Sequence, residues 1–196
     1  MQPNANILAF DTSTAHCAVA LLSGDDVLAD MRVEMAKGQA EQLLPLCEDA
    51  LAKAANQWHD LDAIAVCTGP GNFTGIRIAV STARGLSLSL GIPAIGVTLF
   101  EAMAFGSKDQ QTLRLPARRG HIYEQEFESG MPLSDAIMKE SAEALERPYQ
   151  MPCGHSLPVT VARLAQEKEA GSPPAPFYIQ APDASVPKSI SPKILS

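Results

Sequence analysis

The stretch "LDAIAVCTGPGNFTGIRIAVSTARGLSLSLGIPAIGVT", residues 61–98, decides the fold. Its opening, "LDAIAVC", is a continuous apolar run of the kind that suits a strand covered on both faces of a sheet. Gly69 and Gly71 break that run. From Phe73 the periodicity becomes helical, with Ile76, Ala79, Val80, Ala83, Leu86 and Leu90 on one face. Gly91 stands where a left-handed C-terminal cap belongs, and "IPAIGVT" opens another buried strand. Strand, helix and strand in this order form the repeating unit of an α/β sheet.

Upstream, "NILAFDTST" and "HCAVALLSGDDVLADMRVEM" read as strands in a meander that turns at "SGDD". From Gln39 to Ala55 the apolar positions Leu43, Cys47, Ala50, Leu51 and Ala54 recur at helical spacing, with Leu44 and Leu46 off that face. A short helix is predicted from Leu99 to Phe105. The order is therefore a mixed sheet with helices packed on it, a ribonuclease H-like lobe over residues 1–106. Residues 107–170 read as a shortened α/β lobe. In it "TLRLPARRGHIYEQEF" forms a hairpin turning near Gly120, and "LSDAIMKESAEALE" and "VTVARLAQEKEA" form amphipathic helices. Residues 171–196 carry Pro173, Pro174, Pro176, Pro182, Pro187 and Pro192, which predicts an extended, poorly packed tail.

Among the 196 residues 46% are hydrophobic, enough to bury a real core. A formal net charge of -7 argues against a chain that grips nucleic acid by itself, because affinity for the phosphate backbone comes mainly from Lys and Arg. Cys17, Cys47, Cys67 and Cys153 form no CxxC pair, and three of them fall in apolar runs, as expected of reduced thiols. The sequence has neither a basic leader followed by an apolar run nor an apolar segment long enough to span a bilayer, so a cytoplasmic protein is expected.

The glycine-rich turn invites a phosphate, but its residues do not match the known cradles. A P-loop places Lys and then Ser or Thr after its last glycine, whereas Ile76 and Arg77 follow Gly75. A dinucleotide fingerprint would need a third glycine where Thr74 stands. What remains is a tight reversal into a helix N-terminus whose amides favour an anion. The "DTST" turn at residues 11–14 is similar to the phosphate hairpin of actin-like and sugar-kinase ATPases, with Ser13 where glycine is common. Two readings stay open: Gly69 and Gly71 only allow a sharp reversal, or Asp11, Thr12, Ser13, Gly69 and Gly71 form a vestigial phosphate site. His16, His59, His121 and His155 show no HxxxH or HExxH spacing and there is no GxSxG elbow, so neither a metal nor a serine nucleophile is expected.

The helix after Phe73 has a second face of small residues, Ile78, Thr82, Gly85 and Ser89, flanked by Arg77 and Arg84. Such a face packs inside the chain or lets a partner helix approach closely.

Taken together, "ILAFDTSTAHCAVALL", "EQLLPLCEDAL", the residues 61–98 run, "ARRGHIYEQEF" and "FYIQAPDAS" resemble the TsaB (YeaZ) family of threonylcarbamoyladenosine-tRNA biosynthesis proteins. The resemblance implies a two-lobed α/β member of the actin-like, Hsp70-like ATPase superfamily, with ribonuclease H-like lobes and a short second lobe. It implies a noncatalytic scaffold that binds the transferase TsaD, joined by the ATPase TsaE. It also implies homodimers through the same helices, contact with tRNA only through the complex, and no resident cofactor beyond a weak or interface nucleotide. The partner surface carries over to Gln42, Leu43 and Leu46 of the first helix and to Arg77, Ile78, Ser81, Thr82 and Gly85 of the second. Gln39 and Ala40 replace a His-Ser pair common in the family, and Pro116 replaces an Asp. The rival reading is a stand-alone phosphotransferase or metallopeptidase of the same superfamily.

Overall fold

The computed structural model describes residues 4–140, 151, 154–169 and 171–179. Strands β1 (Asn6–Asp11), β2 (His16–Ser23) and β3 (Asp26–Glu34) form the meander. Helix α1 (Gln39–Lys53), strand β4 (Ala63–Cys67), helix α2 (Phe73–Leu90), strand β5 (Ala94–Val97) and helix α3 (Leu99–Ala104) follow. The sheet order is β3-β2-β1-β4-β5, the ribonuclease H-like arrangement read from the order of elements. β1 pairs antiparallel with β2 and parallel with β4, which sets Ala9 opposite both Ala20 and Ala65.

Alternation along the strands gives the sheet two covered faces. Leu8, Phe10, Val19, Leu21, Ile64 and Val66 pack beneath α1 and α2. Ile7, Ala9, Ala20, Ala63 and Ala65 face the other way, toward α3 and a further helix, α4 (Leu157–Glu167). This explains why β1 and β4 read as unbroken apolar runs, while β3, at the sheet edge, is mostly exposed. The ends of α2 are set by its sequence. Asn72 Oδ1 accepts from the Gly75 amide at 3.0 Å, and Gly91 closes the helix at φ 68° with its amide on Ser87 O.

The second sheet contains β6 (Gln111–Pro116), β7 (His121–Glu128), β8 (Met131–Pro132) and β9 (Ile137–Glu140), and the expected hairpin turns through Arg119 and Gly120, both at positive φ. Three expectations change here. The helix predicted from "LSDAIMKESAEALE" is replaced at residues 137–140 by β9, which pairs with β7 so that Tyr123 faces Met138. The open edge of β7 overrides a helical pattern this short; residues 141–150 lie outside the described residues. α4, grouped by sequence with the second lobe, packs on the first sheet through Val161, Ala162 and Ala165. The alanines paving that sheet face let a helix come close. The tail is not loosely packed over residues 173–179: Pro174 is buried against Gly96, and the Phe177 amide donates to Thr68 O at 2.9 Å.

Candidate functional site

The two halves of the supposed phosphate cradle close on each other. Thr12 Oγ1 donates to Gly75 O at 2.7 Å, and the Asn72 amide donates to Ser13 O at 2.6 Å. A Cβ on Gly75 would lie 1.8 Å from Thr12 O, and one on Gly71 would lie 2.6 Å from Ser13 O. These glycines are therefore required by the approach of the β1–β2 turn to the start of α2. Asp11, Thr12 and Ser13 have no exposed surface, and Ser13 Oγ, buried without a hydrogen-bond partner, faces Gly71 across this contact. A phosphate does not fit between them.

Asp11 is held by its own hairpin. Its Oδ1 accepts from the Ser13 amide at 3.1 Å, and its Oδ2 lies 2.7 Å from His16 Nε2. A carboxylate only accepts, so His16 Nε2 carries a proton, and in the neutral ring Nδ1 then accepts from Thr14 Oγ1 at 2.6 Å. His16 carries no metal or catalytic spacing in the sequence; the signal for its pairing is a His that begins β2 shortly after the Asp that ends β1. The chain of bonds satisfies a carboxylate that would otherwise be buried alone. The neighbouring thiols are inert. Burial first, and the Asp11 charge second, push Cys67 well above the usual thiol range and Cys17 up to about 11. Among the described residues no group of three or more His, Cys, Asp or Glu is placed to hold a metal ion, and no helix is long and apolar enough to cross a membrane.

The outer side of α2 is open. Arg77, Ser81, Arg84, Gly85 and Leu88 are exposed along it, with Ile78 and Thr82 half-buried at its margin. A Cβ on Gly85 would meet nothing within 4 Å, and Leu88 is 87% exposed. Beside it, α1 exposes Glu41, Leu44, Glu48 and Asp49, so the two helices show opposite charge to solvent. A cleft of about 400 Å³ lies among Phe73, Thr74, Arg77, Ile78 and Ser81. Another of about 460 Å³ lies among Arg84, Gly85, Leu88, Pro93 and Pro173.

Two of the carried-over interface residues do not belong to this surface. Leu43 is 0% and Leu46 2% exposed, because with Cys47, Ala50 and Leu51 they complete the inward stripe at i, i+3, i+4, i+7 and i+8. Gln42 is half-buried at the edge of α1, and Leu44, 44% exposed, is the large apolar residue that α1 turns outward. Leu88, which extends the Ser81 and Gly85 stripe by one turn, was missed although its spacing marks it.

Comparison with known proteins places this geometry in a lineage. The family model described as "TsaD: tRNA N6-adenosine threonylcarbamoyltransferase" matches residues 33–191. The tRNA threonylcarbamoyladenosine biosynthesis protein TsaB of Escherichia coli is 35% identical over an alignment of 127 residues that covers 62% of this chain and 54% of that protein. TsaB of Bacillus subtilis is 36% identical over 120 residues, 60% of this chain and 52% of the relative. The chain thus spans a little over half the length of these relatives. The solved structure of YeaZ from Pseudomonas aeruginosa superposes with a TM-score of 0.61 at 28% identity, covering 74% of this chain and 71% of that one. The matched family model carries the transferase's description, whereas the curated TsaB relatives and the solved YeaZ carry the other name. With its ribonuclease H-like sheet order and its matches over most of its length, the chain belongs to this family, as one of its TsaB (YeaZ) members.

Proposed function

We propose that this chain is a noncatalytic subunit of the machinery that adds threonylcarbamoyl to the adenosine beside the anticodon in tRNAs reading codons that begin with A. In this role it binds TsaD through the outer face of α1 and α2. The observation that carries this reading is the open stripe on α2, where Gly85 leaves room for a helix backbone and Leu88 stands almost fully in solvent. A large apolar side chain beside a bare glycine on an exposed helix is what close helix docking uses. The names of the curated relatives support the pathway. The closed contact between the β1–β2 turn and α2 supports the noncatalytic role, since the remnant at Asp11, Thr12, Ser13, Gly69 and Gly71 is filled by the chain's own backbone.

The net charge of -7 fits a subunit that leaves tRNA contact to its partners. In the absence of TsaD, the acidic α1 surface and the Arg77 and Arg84 edge of α2 are complementary between two copies, which supports a homodimer through the same face. TsaE joins the assembled complex, and any nucleotide is held at its interfaces rather than by this chain alone.

Co-purification with TsaD of the same organism tests the reading. Gly85→Trp fills the open stripe and is expected to weaken the complex at least a hundredfold while the circular dichroism spectrum and melting temperature stay near wild type. Unchanged binding removes α2 from the interface. Calorimetry of the isolated chain with ATP separates the rival class: micromolar affinity would make it a phosphotransferase candidate rather than a scaffold.

A further inference from the structure

The tail meets the docking helix. Pro174 is buried against Gly96, the Phe177 amide is bound to Thr68 O, and Phe177 and Ile179, both half-buried, pack against the core. In an extended segment alternate side chains point opposite ways, so Tyr178, between two inward residues, is directed out. Its ring stacks on Phe73, the first residue of α2, with centroids 5.2 Å apart and planes at 27°. Arg77, one turn along, holds its guanidinium carbon 5.1 Å from the centroid of the same Phe73 ring.

We propose that Tyr178 is a positioning residue for partner docking: it fixes Phe73, and Phe73 in turn fixes the Arg77 guanidinium at the edge of the face that meets TsaD. An exposed arginine samples many rotamers, and binding must freeze them. A stacked aromatic platform removes part of that cost before the partner arrives. The platform itself would be mobile at a helix N-terminus, and the tail, tied down on both sides of Tyr178, holds it. The composite surface thus joins the C-terminal segment to α2 in one recognition unit, whose partner presents acidic or carbonyl oxygen toward Arg77.

This inference rests on the docking reading above, and the test separates the two. Affinity of the full chain for TsaD is measured by calorimetry for wild type, Tyr178→Ala, Tyr178→Phe, Arg77→Ala and the Tyr178→Ala/Arg77→Ala pair, with Gly85→Trp as reference. Tyr178→Ala is expected to weaken binding about fivefold, Tyr178→Phe to stay within about twofold of wild type, and Tyr178→Ala to cost nothing more once Arg77 is alanine. Melting temperatures of the two Tyr178 variants report whether the tail stays docked. If Gly85→Trp abolishes binding and Tyr178→Ala does not weaken it, the positioning role is wrong and the docking face stands. Equal loss in Tyr178→Phe, or additive effects of Tyr178 and Arg77, also overturns it. If Gly85→Trp binds like wild type, the docking reading fails and this inference with it.

Discussion

Gly75 and Gly85 lie on the same helix and serve opposite ends. At Gly75 a Cβ would stand 1.8 Å from the Thr12 carbonyl oxygen, whereas at Gly85 it would meet nothing within 4 Å. The first glycine is needed because two parts of this chain already touch there. The second leaves a surface on which this chain touches nothing. The first glycine marks close approach within the chain, and under the proposed docking the second leaves room for a partner.

The largest effect is expected where the space is already taken. Gly75→Ala forces the start of α2 away from the β1–β2 turn, and the Thr12–Gly75 and Asn72–Ser13 hydrogen bonds go with it. The loss should be at least about 3 kcal/mol, read from urea unfolding midpoints. A variant as stable as wild type would mean that the turn and the helix do not meet in this way.

The same contrast runs through α1, between Leu46 at 2% exposure and Leu44 at 44%. Leu46→Ala should cost about 2–4 kcal/mol by leaving a cavity under α1, with no effect on TsaD binding beyond that of lost folded protein. Leu44→Ala should change stability by less than about 0.5 kcal/mol and weaken the complex instead. Exchanged outcomes would place α1 in the opposite rotation about its axis.

These pairs also show what the sequence could and could not convey. The βαβ unit, the apolar face of α2 and its Gly91 cap were legible, because each depends on spacing within one segment. Leu46 reads as off the apolar face of the first helix when that face is drawn through Leu43, Cys47, Ala50, Leu51 and Ala54, yet its i+3 spacing from Leu43 puts it inside the buried stripe. The jam at Gly75 was not legible, since it is made by Thr12 and Ser13, distant in sequence and brought near only by the β1–β4 pairing. For the same reason β9 was misread: residues 137–140 suit helix or strand, and the free edge of β7 decides. The tail's prolines said nothing of the bare Gly96 against which Pro174 sits, and residues 180–196 lie outside the described residues. Local pattern gave the elements; the contacts that define the site are between elements.

The smallest and sharpest test is Gly85→Ala. Within an exposed helix, alanine in place of glycine lowers the entropy of the unfolded chain and raises helix propensity, so stability should increase by about 0.5–1 kcal/mol. Nothing in the folded chain opposes the added methyl. At a helix-to-helix contact the same methyl holds the backbones apart, so affinity for TsaD should fall by about three- to tenfold. Stability and binding then move in opposite directions from one carbon atom, which a purely structural role for Gly85 does not produce. If both rise, or binding is unaffected, the open stripe is ordinary surface, and the comparison with Gly75 reduces to one crowded glycine and one idle one.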